Sequence, residues 1–165
     1  MKIILKEGKS ASKEAVQKLE AALGCPISDS FRRFVSENDG SEPESNQFKI
    51  GDDNGAAVNR FIPVSEILEE RQYIDNCPSQ AYPIAWASCG NYVLLDEGEG
   101  GKVYFWDHEF EDENITELAD NFDAFLSMVE PFDLDSIKLE PGQVKSVWID
   151  PEFQKFIDEQ KKNKR

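Results

Sequence analysis

Between Ile84 and Trp106 the chain offers three apolar runs, Ile84-Ala85-Trp86-Ala87, Tyr92-Val93-Leu94-Leu95 and Val103-Tyr104-Phe105-Trp106. Ser88-Cys89-Gly90-Asn91 joins the first two, and the loop Asp96-Glu97-Gly98-Glu99-Gly100-Gly101 joins the last two. Parallel neighbours need a crossover of roughly a dozen residues or more, usually a helix, whereas antiparallel neighbours close through a short turn. These connections leave room only for turns, so the segment predicts an antiparallel meander.

Helical spacing surrounds this segment on both sides. Residues 12–23 place Val16, Leu19 and Leu23 on one face, with Ser12 as N-cap and Gly24 as stop. After Pro26, Phe31, Phe34 and Val35 follow the i, i+3, i+4 rule and predict a second helix from Ser28 to the turn Asn38-Asp39-Gly40. Residues 42–46 read as a loop. Phe48-Lys49-Ile50 reads as a first strand, and Asp52-Asp53-Asn54-Gly55 as a hairpin-type turn. Phe61-Ile62-Pro63-Val64 predicts a short edge strand or extended entry to a helix over 65–76, capped by Ser65. A further helix starts at Asp120 or Asn121, carries Phe122, Phe125, Leu126 and Val129 on one side, and ends at Pro131. Residues 133–150 have no strong period, and Pro151 opens a last helix. The class is α+β, a mainly antiparallel central sheet with helices packed against it. The division is one domain over 1–132 and a C-terminal extension over 133–165, with a terminal helix packed on the same domain.

The charge narrows the function. The 165 residues hold 33 Asp and Glu against 18 Lys and Arg, a formal charge of −15. Contact with nucleic-acid phosphate would bring like charges together, so a macromolecular partner is expected to be basic. From Asn91 to Glu140 the acids are opposed only by Lys102 and Lys138. Such acid serves solubility in many proteins, and it also steers a cationic partner. No apolar run has the length of a membrane span, and the first apolar stretch, Ile3-Ile4-Leu5, is too short for a signal peptide. Cys25, Cys77 and Cys89 form no metal-finger spacing and read as reduced thiols. A cytoplasmic protein is expected.

Several segments stand in an order that resembles the SMI1/KNR4-like (SUKH) family. The run from Leu23 through Pro26, Phe31 and Phe34 to Asn38-Asp39-Gly40 resembles the opening of those domains. Phe61-Ile62-Pro63-Val64-Ser65-Glu66-Ile67 is similar to their apolar-Pro element before a helix. Tyr82-Pro83-Ile84-Ala85, Gly90-Asn91-Tyr92-Val93-Leu94-Leu95-Asp96 and Gly101-Lys102-Val103-Tyr104-Phe105-Trp106-Asp107-His108-Glu109 complete the likeness. It covers about residues 12–132. Cys25 and Ser41 depart from it, where a larger apolar residue and a second Gly are usual. The resemblance implies the same α+β fold and a non-catalytic role. In bacteria such domains are typically immunity proteins of polymorphic toxin systems, and eukaryotic relatives are associated with cell-wall regulation.

The residues themselves carry little chemistry. The only histidine, His108, would point away from Asp107 and Glu109 if the strand continued through it. Neither Ser88, Cys89 nor Cys25 sits in a nucleophile elbow. The Asp52–Gly55 stretch lacks the alternating acids of a calcium loop, and Phe61 occupies the place of its closing Glu. The loop at 96–101 joins strand to strand, and its own acids would repel a phosphate. No catalytic residue, metal or cofactor is expected, and Trp86, Trp106 and the Phe set read as core. The leading expectation is an immunity protein that blocks a cognate toxin, possibly a nuclease, whose substrate-binding surface is basic. The candidate contacts are Asp52, Asp53, Asp96, Glu97, Glu99, Asp107, Glu109, Glu111, Asp112 and Glu113. A regulatory or scaffold binding domain is the alternative, and a hydrolase or metal protein the third.

Overall fold

The computed structural model describes residues 3–51, 54–111 and 114–131, together with Ser146, 148–153 and Lys155. The chain divides into two compact units, Met1–Phe132 and Asp133–Arg165. In the first unit the elements run β1 (Leu5–Lys6), α1 (Lys13–Leu23), α2 (Asp29–Asn38), β2 (Glu42–Pro43), β3 (Gln47–Ile50) and β4 (Asn54–Phe61). They continue with α3 (Ile67–Glu70), β5 (Ala81–Ala87), β6 (Tyr92–Asp96), β7 (Lys102–Trp106), β8 (Ile115–Ala119) and α4 (Phe122–Met128). Strands β3 to β8 form one six-stranded sheet in chain order, each antiparallel to the next, and β1 pairs with β2 apart from it. The fold is α+β with an antiparallel meander at its centre.

Local chemistry sets the helix ends. The Ser12 hydroxyl accepts the Ala15 N–H at the start of α1, and Gly24 closes that helix in the left-handed conformation with φ 71°. Asn121 caps α4 in the same way as Ser12 caps α1, through Ala124 N–H. In the sheet, Val93, Leu95, Val103 and Phe105 share one face, because cross-strand partners on neighbouring strands point the same way. The aromatic side chains of the helices close on that face. Phe122 sits 5.2 Å from Phe31 and 5.0 Å from Phe34, ring centre to ring centre, both edge-on, and Phe34 lies 4.6 Å from Phe61. Phe48 links the two edges of the assembly, touching Phe125 of α4 and Phe105 of β7. The sheet curls enough to bring its edge strands β3 and β8 within 8 Å, Cα to Cα. Bulges at Val58/Arg60, Pro83/Ala85 and Val103/Tyr104 favour this curl.

The opposite face carries Tyr92, Leu94 and Asp96 of β6 with Tyr104 and Trp106 of β7. There α3 is anchored by Glu70, whose Oε2 accepts from Trp86 Nε1 at 2.8 Å and from the Tyr92 hydroxyl at 2.7 Å. In the second unit, residues 151–153 are helical, and Asp150 Oδ1 accepts the Glu152 N–H at 2.8 Å. Most of the expected terminal helix lies outside the described residues. Among those described, no helix is long and apolar enough to cross a membrane.

Four sequence expectations change. Of the short edge strand or extended entry expected over Phe61–Val64, only Phe61 is strand, the last residue of an eight-residue strand, β4, that lies inside the sheet between β3 and β5. The hairpin turn sits earlier than expected, since Asn54 and Gly55 already pair with Ile50 and Lys49. The helix expected over 65–76 is four residues of α3 followed by a 3₁₀ turn, Arg71–Tyr73, and Ser65 does not cap it. Strand β2 stands where a loop was read, and β1 and β8 stand where no element was read.

Two consequences are measurable. Truncation of Phe122 leaves a hole beneath both helices, and Phe122→Ala is expected to cost about 3–5 kcal/mol in urea unfolding. Asp39 accepts the Val64 N–H at 2.8 Å, yet burial raises its pKa above the ordinary carboxylate value, and Glu66 adds to the rise. A raised folded-state pKa means that the native chain holds the proton more tightly than the unfolded one. Asp39 therefore lowers stability as pH rises from about 4 through that raised pKa. Asp39→Asn keeps an oxygen for Val64, so its melting temperature relative to the wild type should climb across this window and then level off.

Candidate functional site

Antiparallel succession sorts the connections to two ends of the sheet. The β3–β4, β5–β6 and β7–β8 connections lie at one end, and the β6–β7 loop lies at the other. The acidic candidates divide in the same way. Asp107, Glu109 and Glu111 belong to the first end; Asp96, Glu97 and Glu99 belong to the second. Asp52, Asp53, Asp112 and Glu113 lie outside the described residues.

At the second end most of the acid is tied up internally. Asp96 is buried, its Oδ1 accepts the Gly98 N–H at 2.8 Å, and its carbonyl accepts the Gly101 N–H. Consecutive left-handed residues, Gly100 at φ 76° and Gly101 at φ 87°, let the loop return to β7, which residues with a Cβ would resist. Glu97 Oε1 accepts both the Ser28 N–H at 2.8 Å and the Tyr82 hydroxyl at 2.7 Å, so one carboxylate pins the loop to β5 and to the start of α2. Negative charge is favoured there by the helix dipole. Burial, reinforced by Glu97, holds the Tyr82 hydroxyl well above its ordinary pKa. Of the three, Glu99 alone is exposed.

The first end is open. A groove of about 370 Å³ runs between the β3–β4 hairpin and the β7–β8 connection, with Ile50, Ala56 and Phe105 among its apolar lining and Asp107 and Glu109 among its polar lining. It exists because β3 and β8 curl toward each other without pairing. Strand β7 ends at Trp106, and the Asp107 N–H bonds back to the Asn114 carbonyl at 2.8 Å. Asp107 Oδ1 then accepts the Glu109 N–H at 3.0 Å, which shapes the turn that displays Glu109, Phe110 and Glu111. Phe110 is 60% exposed between two carboxylates.

His108 is oriented by Asn91 rather than by either acidic neighbour. Asn91 Oδ1 receives the His108 backbone N–H at 3.1 Å and lies 2.7 Å from its Nδ1. An amide oxygen only accepts, so Nδ1 carries the proton and Nε2 is left toward solvent. Cys89 adds an exposed thiol to the groove wall from a left-handed turn position at φ 63°. Among the described residues, no three His, Cys, Asp or Glu side chains converge as a metal site requires.

Charge counting singled out Asp107, Glu109 and Glu111 as candidates, but it did not single out Phe110 or the groove beside them. A lone phenylalanine between Glu109 and Glu111, beyond the end of a strand, was the available signal, because a buried ring is seldom flanked so closely by charge. Charge counting also could not separate Asp96 and Glu97, which bond within the fold, from acids that face outward.

A family model described as the SMI1 / KNR4 family (SUKH-1) matches residues 10–128 of the chain. A curated relative, the SPbeta prophage-derived uncharacterized protein YokK of Bacillus subtilis (strain 168), is 37% identical over 67 residues. That match covers 38% of this chain and 34% of the relative, so the chain spans about a third of that protein's length.

Within the β6–β7 loop, the difference between a bonded and an exposed acid predicts different outcomes for Glu97 and Glu99. Glu97→Ala leaves Ser28 N–H and the Tyr82 hydroxyl without their acceptor and is expected to lower stability by about 2–3 kcal/mol. Glu99→Ala should fall within about 0.5 kcal/mol of the wild type. Chemical denaturation of both variants checks this.

Proposed function

The chain belongs to the SMI1/KNR4 family (SUKH-1), and on that footing we propose that it is a non-catalytic protein-binding domain, the immunity protein that holds a cognate toxin inactive in the cytoplasm of the producing cell. The observation that carries this reading is the open end of the sheet, where exposed Phe110 stands between carboxylates beside a groove of mixed polar and apolar lining. Carboxylates held on a shaped turn attract a basic surface from a distance, and an exposed ring beside a groove supplies area to bury on contact. A nuclease toxin suits this end, because a site built for phosphate is itself cationic and an acidic turn can occupy it. The same charge argues against a nucleic-acid partner.

The fold's own use of Asp96 and Glu97 directs the proposed interface away from the β6–β7 loop. Asp107, Glu109 and Glu111 supply the steering, and Phe110 supplies the anchor. Co-expression with the C-terminal domain of a toxin encoded beside this gene should rescue growth and yield a stoichiometric complex. The combined change of Asp107, Glu109 and Glu111 to Lys should slow association more than tenfold at low salt and flatten its salt dependence. Phe110→Ala should instead speed dissociation. Association rates unaltered by the charge change would remove this end of the sheet from the interface, and failure to rescue would remove the immunity reading.

A further inference from the structure

The second face of the sheet carries a row of ring side chains in register. Trp86 of β5 lies opposite Tyr92 of β6, and Tyr92 lies opposite Trp106 of β7. Directly opposed residues in antiparallel strands share a face. The Tyr92 and Trp106 rings are 5.7 Å apart. Glu70, from α3, stands at the Trp86 end of this row, with its Oε2 held by the Trp86 indole N–H and the Tyr92 hydroxyl.

This carboxylate has been given neutral donors and no countercharge. The adjacent cation, Arg71, is committed elsewhere: its Nε donates to the Ala81 carbonyl, and its terminal nitrogen donates to those of Pro78 and Ser79. Lys102 pairs with Glu117, and Arg60 bonds the Gly40 carbonyl. Among the described residues no cation pairs with Glu70, and its Oε1 accepts from none of them. Glu70 and Trp86 are each only half-buried.

A carboxylate fixed by two donors, with a free oxygen and a partly exposed indole beside it, has the chemistry that takes an organic cation. Guanidinium fits better than ammonium. It is planar, weakly hydrated and able to lie against an indole while donating to an oxygen at the edge. We infer that Glu70 and Trp86 form a receptor for an arginine side chain presented by a protein partner, on the second face of the sheet. The inference rests on the partner-binding reading only for the source of the arginine.

The test uses the full chain and a blocked tripeptide, acetyl-Gly-Arg-Gly-amide, with the citrulline tripeptide as its uncharged counterpart. The arginine peptide should move the Trp86 indole N–H resonance saturably, and the citrulline peptide should not. Glu70→Gln keeps an oxygen for Trp86 and Tyr92 and removes the charge. It should weaken binding about tenfold or more while the Trp106 indole resonance stays in place. Glu70→Asp, which keeps the charge and shortens its reach, is the second variant should the first fail to fold, and it should weaken binding about threefold. Equal response to citrulline, or affinity unchanged in the variants, overturns the receptor. Toxin co-expression separates the two readings. Neutralisation without Glu70-dependent peptide binding leaves the immunity role standing and removes the receptor. Glu70-dependent peptide binding without any neutralisation does the reverse.

Discussion

Ring contact among Phe31, Phe34, Phe61 and Phe122, edge-to-face wherever Phe122 takes part, is the interaction on which the rest of the first unit depends. Helices α2 and α4 meet each other and the sheet through these rings, and Tyr82 extends the cluster into β5. Aromatic pairs of this geometry add to the area term that any buried ring provides. Phe122 enters α4 one residue after its cap, so the position of that helix, and with it the chain that returns from β8, is set by this cluster. Glu130 then pairs with Gln47 through two backbone bonds, covering the free edge of β3. An edge strand left open would invite pairing with another chain.

The curl of the sheet turns that packing into a division of labour between its ends. At the β6–β7 end, Glu97 and Asp96 are drawn into hydrogen bonds with α2, β5 and the loop backbone. At the other end the strands separate, and Glu109 and Glu111 face solvent around a groove. A strongly acidic composition therefore has two physical meanings in one chain. Some carboxylates are internal acceptors whose charge is satisfied by N–H and O–H groups, and others are free to act at a distance.

The order of elements was legible wherever a local signal agreed with the tertiary outcome. Ser12 and Gly24 bracketed α1, the Phe spacing marked α2 and α4, and the Gly-containing turns declared the meander. Strand β4 was hidden because Gly55, Ala56 and Ala57 are poor strand formers, held in place by pairing with β3, while Val58 to Phe61 carry the pairing with β5. Strand β8 was hidden because an edge strand exposes Thr116 and Glu117 and so lacks the apolar run of a buried one. The expected third helix was cut short where Arg71 turns its guanidinium to the carbonyls of the following loop, a contact that no periodicity encodes. The acids of the site were legible as composition. Their sorting into bonded and free groups was not, because it depends on which end of the sheet each connection reaches.

Strand order equal to chain order has a kinetic side. Each β-pair from β3 to β8 joins segments adjacent along the polypeptide, so zippering advances by a series of small loop closures, each costing little chain entropy. During synthesis from the N-terminus, every new strand finds its docking edge already made. The pairing of Gln47 with Glu130 breaks this rule, since it joins the first strand of the meander to the chain beyond α4. That clasp can form only after the whole sheet has emerged, and until it does the β3 edge stays available to chaperones or to a neighbouring nascent chain.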